Sequence, residues 1–463
     1  MVQSGRRWGL VVAAVAYASL LGTLVQSIAV PIIGRVPEYL HTTPAAATWI
    51  FTAMLLSGAV ASVLMGRLAD MYGKRRLLLV CLAILVVGSV IAALAQEIIT
   101  LIIGRALQGF AVATVPIAFG ILRDGGDGRR LIRGIAAVTV MAQISGGFGS
   151  AIAGFVAEHL SWQALFWGSA GLGVIAAVTV ALWVPNDPGQ PGTRFDPIGA
   201  IGLVLGLVGV LLGVSNGSSW GWASGATLGC LIGGLTILAL WGWYETRRRS
   251  PLVDIRLLGS RPLLLTNLAA LLFGFGMYAI LVTMPQLIVA PIETGYGLGD
   301  TVLTAGLVGA PSILLAILAP YAATWFIRRI GAAWTLGVGG VVLAVAYLQL
   351  ALSHSSVWDF VIANAIVTVG LSFGMASMPA LVLALVPREQ SSEANGVNTV
   401  VRTAGMALST AVTAAIISAV LIDDGFGAGV LPAHGAYFIA FAVAAAACLL
   451  VVPVVALIRV PKG

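Results

Sequence analysis

Charge is what this sequence has least of. Only 9% of its 463 residues are Asp, Glu, Lys or Arg, while 59% are hydrophobic; a soluble domain carries roughly a quarter charged residues. So little polar material cannot cover a water-facing surface, and lipid is the expected solvent. Cysteine is nearly as scarce. Cys81, Cys230 and Cys448 all fall inside apolar runs, which excludes a disulfide framework or a metal-binding spacing and leaves small buried hydrophobes. No P-loop and no nucleophile elbow occurs. Their absence argues against ATP-driven pumping by this chain alone and against membrane enzymology. The longest loop on the basic side, about 245–262, is too short for a soluble output domain. His41, His159, His354 and His434 fall in or beside outer loops, where polar interfacial residues are the simplest reading.

What the sequence does have is long apolar runs. About 20 such residues cross the roughly 30 Å of hydrocarbon. Runs of that size lie near 8–33, 45–65, 77–96, 98–122, 135–157, 162–184, 198–214, 225–244, 263–289, 302–326, 334–352, 358–386, 395–421 and 435–458. A lone strand cannot satisfy its backbone in lipid, so each run is expected to be a helix. The expected fold is all-α and polytopic, with about 14 transmembrane helices. Arg6 and Arg7 before the first run imitate a signal peptide, but the run is longer than a signal's apolar core, so a retained span is expected.

The basic residues test this layout. With the N-terminus in the cytoplasm, 21 of the 24 Lys and Arg fall on the cytoplasmic side, Arg35 falls outside, and Arg105 and Arg402 lie within spans. That asymmetry obeys the positive-inside rule. It predicts a multi-pass protein of the cytoplasmic membrane with both termini inside. It also accounts for the net charge of +7 by topology rather than by nucleic-acid binding.

A Gly-rich basic turn follows the second span: Gly66, Arg67, Leu68, Ala69, Asp70, Met71, Tyr72, Gly73, Lys74, Arg75, Arg76. A weaker echo, Trp325 to Gly331 with Arg328 and Arg329, follows the tenth. The tenth span is the second of the last six. The pattern is therefore six helices, two inserted helices and six more, giving units 1–185, 186–250 and 251–463.

The Gly66–Arg76 turn resembles the signature loop of the major facilitator superfamily, G-x-L-x-D-x-x-G-x-[RK]-[RK]. Gly104–Gly109 resembles the R-x-x-Q-G element, Ser161–Phe166 the entry to the sixth span, and Ala394–Asn398 with Arg402 the start of the eleventh helix of the common fold. Fourteen spans and a linker at Pro251–Asp254 look most like the drug:proton antiporter branch. The resemblance implies two six-helix halves rocking around a central site, with amphipathic compounds exported against protons. It implies no cofactor beyond the proton gradient. The implied partners are a small hydrophobic cargo and the bilayer, with no nucleic acid and a monomer as the working assembly. It makes Gly66, Arg67, Asp70, Gly73, Lys74, Arg75 and Arg76 a conformational latch, with Asp70 free to lie against a helix N-terminus, and it gives Arg105 a role in proton coupling.

Arg105, with Gln108 one turn on, must face the bundle interior, because a charge in hydrocarbon costs at least ~2.5–3.5 kcal/mol. Arg402 either joins the cavity or snorkels to the interface. Gln26 and Gln286 are isolated amides that suit a cavity, and Tyr278, Met284, Met375 and Met378 suit an adaptable apolar pocket.

Two departures stand out. Gly149, Ser150 and Gly154, at the place of a helix-5 gating element, lack its proline. None of the 17 acids falls at mid-span, where the antiporter branch carries one in the first helix. Arginine cannot carry a proton. The candidate carriers are Glu97, Glu158, His159 and Asp359, at outer span ends; Glu293 and Asp300 lie in an outer loop. Uncoupled or differently coupled transport of a lipid or specialised metabolite is the alternative that this gap favours.

Overall fold

A computed structural model describes the chain except residues 1–4, 29–35, 127, 190–194, 249–254, 256–258, 295, 420, 424–429, 433 and 459–463. Arg35 and the Pro251–Asp254 linker lie outside the described residues. So do the side chains of Ser150, Gly154, Glu158, His159, Glu293 and His434.

The chain is helical almost throughout. In order come α1 (Gly5–Ser27), α2 (Val36–Tyr39), α3 (Pro44–Tyr72), α4 (Lys74–Ala93), α5 (Ile98–Gln108), a 3-10 turn (Gly109–Ala113) and α6 (Thr114–Gly125). Then follow α7 (Arg129–His159), α8 (Gln163–Trp183), α9 (Pro197–Trp220), α10 (Gly225–Thr246), α11 (Arg261–Val289), the short α12 (Val302–Leu307) and α13 (Ile313–Leu352). The last elements are α14 (Val357–Leu385), α15 (Ser391–Ala419), a two-stranded hairpin pairing Leu421–Asp423 with Val430–Pro432, and α16 (His434–Ala456). The hairpin had no signal in the apolar pattern.

Twelve helices among the described residues have the length and hydropathy to cross a membrane. One of the twelve, Ala310–Leu352, is two spans that turn at Gly331. The 31-residue α7 is not among the twelve and fills the place of the expected fifth span. Each of the fourteen apolar runs is thus helical. The tenth starts later than the sequence suggests, because α12 and a 3-10 turn at Ala310–Ser312 precede it.

Local chemistry sets the breaks. Thr43 caps α3, its hydroxyl accepting from Ala46 N–H at 3.2 Å, with Pro44 in the first turn, a placement that wastes no backbone donor. Gly73, at φ +101°, ends α3, and α4 starts at the next residue. Gly331, at φ +87°, does the same for the echo turn. In the second half the Tyr347 hydroxyl donates to Gly276 O and accepts from Ile280 N–H. It thereby enters the backbone ladder of α11 and satisfies a phenol buried among apolar groups.

Packing divides the chain into two compact units. The first comprises Met1–Leu212, Ile232–Ser260 and Val382–Val400; the second comprises Gly213–Leu231, Arg261–Leu381 and Val401–Gly463. In the first, α1 lies along α7 and α8, and α4 lies against α5 and α8. There α4 and α5 approach through glycine: a Cβ on Gly88 would stand 2.7 Å from Gly104 O, and one on Gly104 2.8 Å from Gly88 O. Small residues supply this closeness where lipid gives no hydrophobic drive between helices. In the second, α16 packs against α11 and α13, around Phe273, Tyr347, Phe360 and Phe441, all fully buried.

Candidate functional site

The turn between α3 and α4 is built around Gly73. Its positive φ strains any L side chain, and a Cβ there would also strike the backbone oxygen of Asp187. The turn sets Arg67, Asp70 and Lys74 close together, all three buried.

Asp70 is 3% exposed. Its Oδ2 accepts from the backbone N–H groups of Ser392 and Glu393, both at 3.0 Å. These amides open α15, where first-turn donors have no partner within the helix and the dipole is positive. The carboxylate therefore caps a helix that begins more than three hundred residues downstream. Its Oδ1 lies 3.4 Å from Lys74 Nζ, which lies 2.6 Å from Asp124 Oδ2. Arg67 Nη1 meets Glu393 Oε2 at 3.2 Å, with both side chains buried. Gly66 lets α15 come close: a Cβ there would stand 2.7 Å from Ser392 O.

The preceding helix end is held as well. Arg123, from the end of α6, donates through Nη2 to Val386 O at 2.6 Å and through Nη1 to Pro387 O at 3.3 Å and Ser391 Oγ at 3.1 Å. Those carbonyls follow the C-terminus of α14, the negative end of its dipole. A carboxylate thus sits on the positive end of α15 and a guanidinium on the negative end of α14, each the favourable sign. All these residues belong to the first compact unit. The rest of the motif faces elsewhere. Arg75 donates to the Asn186 side chain and Ala181 O, Asp187 Oδ2 accepts from Lys74 N–H at 3.3 Å, and Arg76 is exposed.

Arg105 is wholly buried, the largest fully enclosed side chain among the described residues. Nη1 donates to Val25 O at 2.9 Å and Gln108 Oε1 at 2.7 Å, Nε to Ile50 O at 3.4 Å, and Nη2 to Met54 Sδ at 2.7 Å. Gln108 then donates to Ser89 Oγ at 2.8 Å. The charge ties α1, α3, α4 and α5 together through dipoles. Among the described residues no carboxylate pairs with it. The 3-10 turn starts one residue after Gln108, so the fourth pass loses regular geometry beside its one charge; such turns mark strain or a hinge.

Arg402, in α15, donates through Nη1 to Met375 Sδ at 2.7 Å and is half-buried. Because α15 starts at Ser391, Arg402 lies near the middle of its helix.

The other candidates scatter. Gln26 donates to Gly22 O of its own helix at 3.2 Å. Gln286 is exposed and accepts from Tyr437 Oη at 3.4 Å. Gly149 packs onto α1, where a Cβ would meet Leu24 Cδ1 at 3.1 Å, and Ser27 Oγ donates to Ser145 O nearby. Glu97 is exposed ahead of α5. Asp359 accepts from Ser353 Oγ at 3.0 Å and Ser356 N–H at 3.1 Å, a local cap for α14. Asp300 accepts from the Thr304 hydroxyl and from Thr301 N–H, in that order the causes that hold its carboxyl below the usual range.

With a motif turn, a paired helix cap and twelve candidate membrane spans in place, residues 15–410 also match the sequence profile of the Major Facilitator Superfamily. The chain belongs to that superfamily.

As a superfamily member it is a multi-pass membrane transporter by class, not an enzyme. It is 27% identical over 403 residues to an uncharacterized MFS-type transporter of Mycobacterium tuberculosis, an alignment covering 85% of this chain and 56% of the relative. The chain thus spans little more than half of that relative's length. The multidrug resistance protein Stp of M. tuberculosis is 24% identical over 375 residues, covering 80% of this chain and 68% of Stp. The crystal structure of human MFSD10 (TETRAN), titled an organic anion transporter, aligns with 98% of this chain and 100% of its own at a TM-score of 0.69 and 14% identity; that likeness speaks for the superfamily fold alone.

Sequence reasoning missed Arg123, Asp124, Asp187 and Glu393. Signals for two of them were present. Arg123–Asp124 is a charged pair at a span end before Gly125–Gly126, and Ser391-Ser392-Glu393 reads as a helix start with an acid in the first turn.

Proposed function

We propose that this transporter sits in the cell membrane with both termini cytoplasmic and exports hydrophobic or amphipathic small molecules by alternating access. The Asp70 cluster serves as the catch of one of its states. The observation that carries this reading is the bond pair from Asp70 to the first amides of α15. A fastening that exists in one state biases the equilibrium by its differential free energy, and this one is a buried charge on a helix end, flanked by Arg67–Glu393 and Arg123. The resemblance to Stp, a named multidrug resistance protein, supports an amphipathic cargo. The bilayer and the cargo are the only partners the reading needs, and no cofactor enters it.

The proton gradient is the first energy source to test, on the strength of the resemblance to drug:proton antiporters. A second reading, transport without a proton carrier, is favoured by the empty mid-spans. Glu97 is exposed, Asp359 serves as a cap, and the Asp300 hydrogen bonds favour its ionised form. Purified protein in liposomes decides between them. Dye movement that collapses with an imposed pH gradient supports exchange for protons; movement indifferent to that gradient supports the second reading.

A further inference from the structure

We propose that Arg402 receives the negative charge of the cargo, and that the compounds moved are organic anions: amphipaths bearing a carboxylate, sulfonate or phosphate. This rests on the export reading above and names its substrate class.

Arg402 lies eleven residues into α15, about 16 Å along the helix from Ser391. Its Nη1 rests on Met375 Sδ. Met375 in turn lies ten residues before Leu385, about 15 Å from the end of α14. The guanidinium therefore lies against the middle of both helices. Its one hydrogen-bond partner among the described residues is a thioether, a weak acceptor. A guanidinium carries five donors and prefers an oxyanion.

The contrast with Arg105 is chemical. There two carbonyls, an amide and a thioether enclose a fully buried head group. Arg402 is only half-buried and has no such cage. Its neighbours include Met375 from α14, and Gly274 of α11, where a Cβ would stand 3.1 Å from Arg402 Cγ. Tyr278 follows one turn later on the same face of α11. A cation with no ion pair among the described residues, beside a methionine and on the side of α11 that carries Tyr278, fits the two ends of an amphipathic anion.

The sequence-wide balance points the same way. Mid-span charges are two arginines and no acid, a field that repels cationic cargo. Outward movement of an anion from an interior-negative cell needs no titrating group. A potential of about 100 mV sustains roughly a fifty-fold concentration ratio for a monovalent anion.

The test uses the full chain in liposomes carrying a potassium–valinomycin potential, positive inside. The probes are anilinonaphthalene sulfonate as anionic amphipath and ethidium as cationic one, the latter under a potential of equal size but negative inside, so that each dye has the same inward driving force. Wild-type protein should accumulate the sulfonate above protein-free vesicles, at a rate rising with the potential, and leave ethidium behind. Arg402→Gln should slow the sulfonate roughly tenfold or more, and Arg402→Lys, which keeps the charge but not the planar fork, should fall between. Ethidium carried in preference to the sulfonate would overturn the proposal. So would Arg402→Gln working at the wild-type rate. Should Arg402→Gln fail to fold, the wild-type dye preference and Arg402→Lys still decide. If neither dye moves with wild-type protein, the export reading itself fails.

Discussion

Asp70 and Arg123 hold opposite ends of consecutive helices, and the sign of each is what matters. Asp70→Asn keeps the shape but removes the charge that two first-turn amides and Lys74 answer. A loss of about 1.4 kcal/mol in one state is a tenfold shift in the equilibrium. Transport is accordingly expected to drop about tenfold while the purified protein still elutes as one species; a wild-type transport rate in Asp70→Asn would dismiss the catch. Arg123→Gln should act in the same direction. Because both residues grip residues 386–393, a double-mutant cycle on transport should show coupling of about 0.5 kcal/mol or more; simple additivity would mean that the two helix ends are held independently. Glu393→Gln is a harsher change, since it withdraws the carboxylate from a buried Arg67, and removing one partner of a buried pair costs about 3–5 kcal/mol. Thermal melting in detergent would report that loss.

At the scale of elements, the apolar runs foretold the passes because lipid leaves the backbone no alternative to helix. The one-residue turn was also legible, for Gly73 and Gly331 stand where only glycine is at ease. Gly73→Ala adds backbone strain of about 1–3 kcal/mol to a collision with Asp187. Gly331→Ala adds the strain alone, since nothing lies within 4 Å of its Cβ position. The melting temperature should therefore fall further for Gly73→Ala, and equal losses would show that the Asp187 contact relaxes freely. What could not be read was how distant elements meet. Glu393 and Asp70 are 323 residues apart, and no spacing rule connects them. Nor could sequence show that the Gln26 amide donates back to Gly22 O of its own helix. The polar residues Ser391–Asn395 hid the true start of α15, which places Arg402 near the middle of that helix.

For the whole molecule, the arginine asymmetry predicts one orientation. Cys81 and Cys448 are buried and Cys230 half-buried, so introduced thiols should dominate labelling. In intact cells a membrane-impermeant maleimide should label Asp300→Cys and spare Arg247→Cys until the membrane is permeabilised. The reverse pattern would invert the topology. The repeat also has a consequence for energetics. Two turns follow one template, each pivoting on a glycine with positive φ, yet the stretch from Trp325 to Gly331 contains no acid; its Arg328 and Arg329 are exposed, and Arg329 lies over the Trp325 ring. On the reading proposed above, one side of the cycle is bolted and the other merely swings. An idle carrier with such unequal doors rests with the bolted one shut, and the arrival of cargo must supply the energy that draws the bolt.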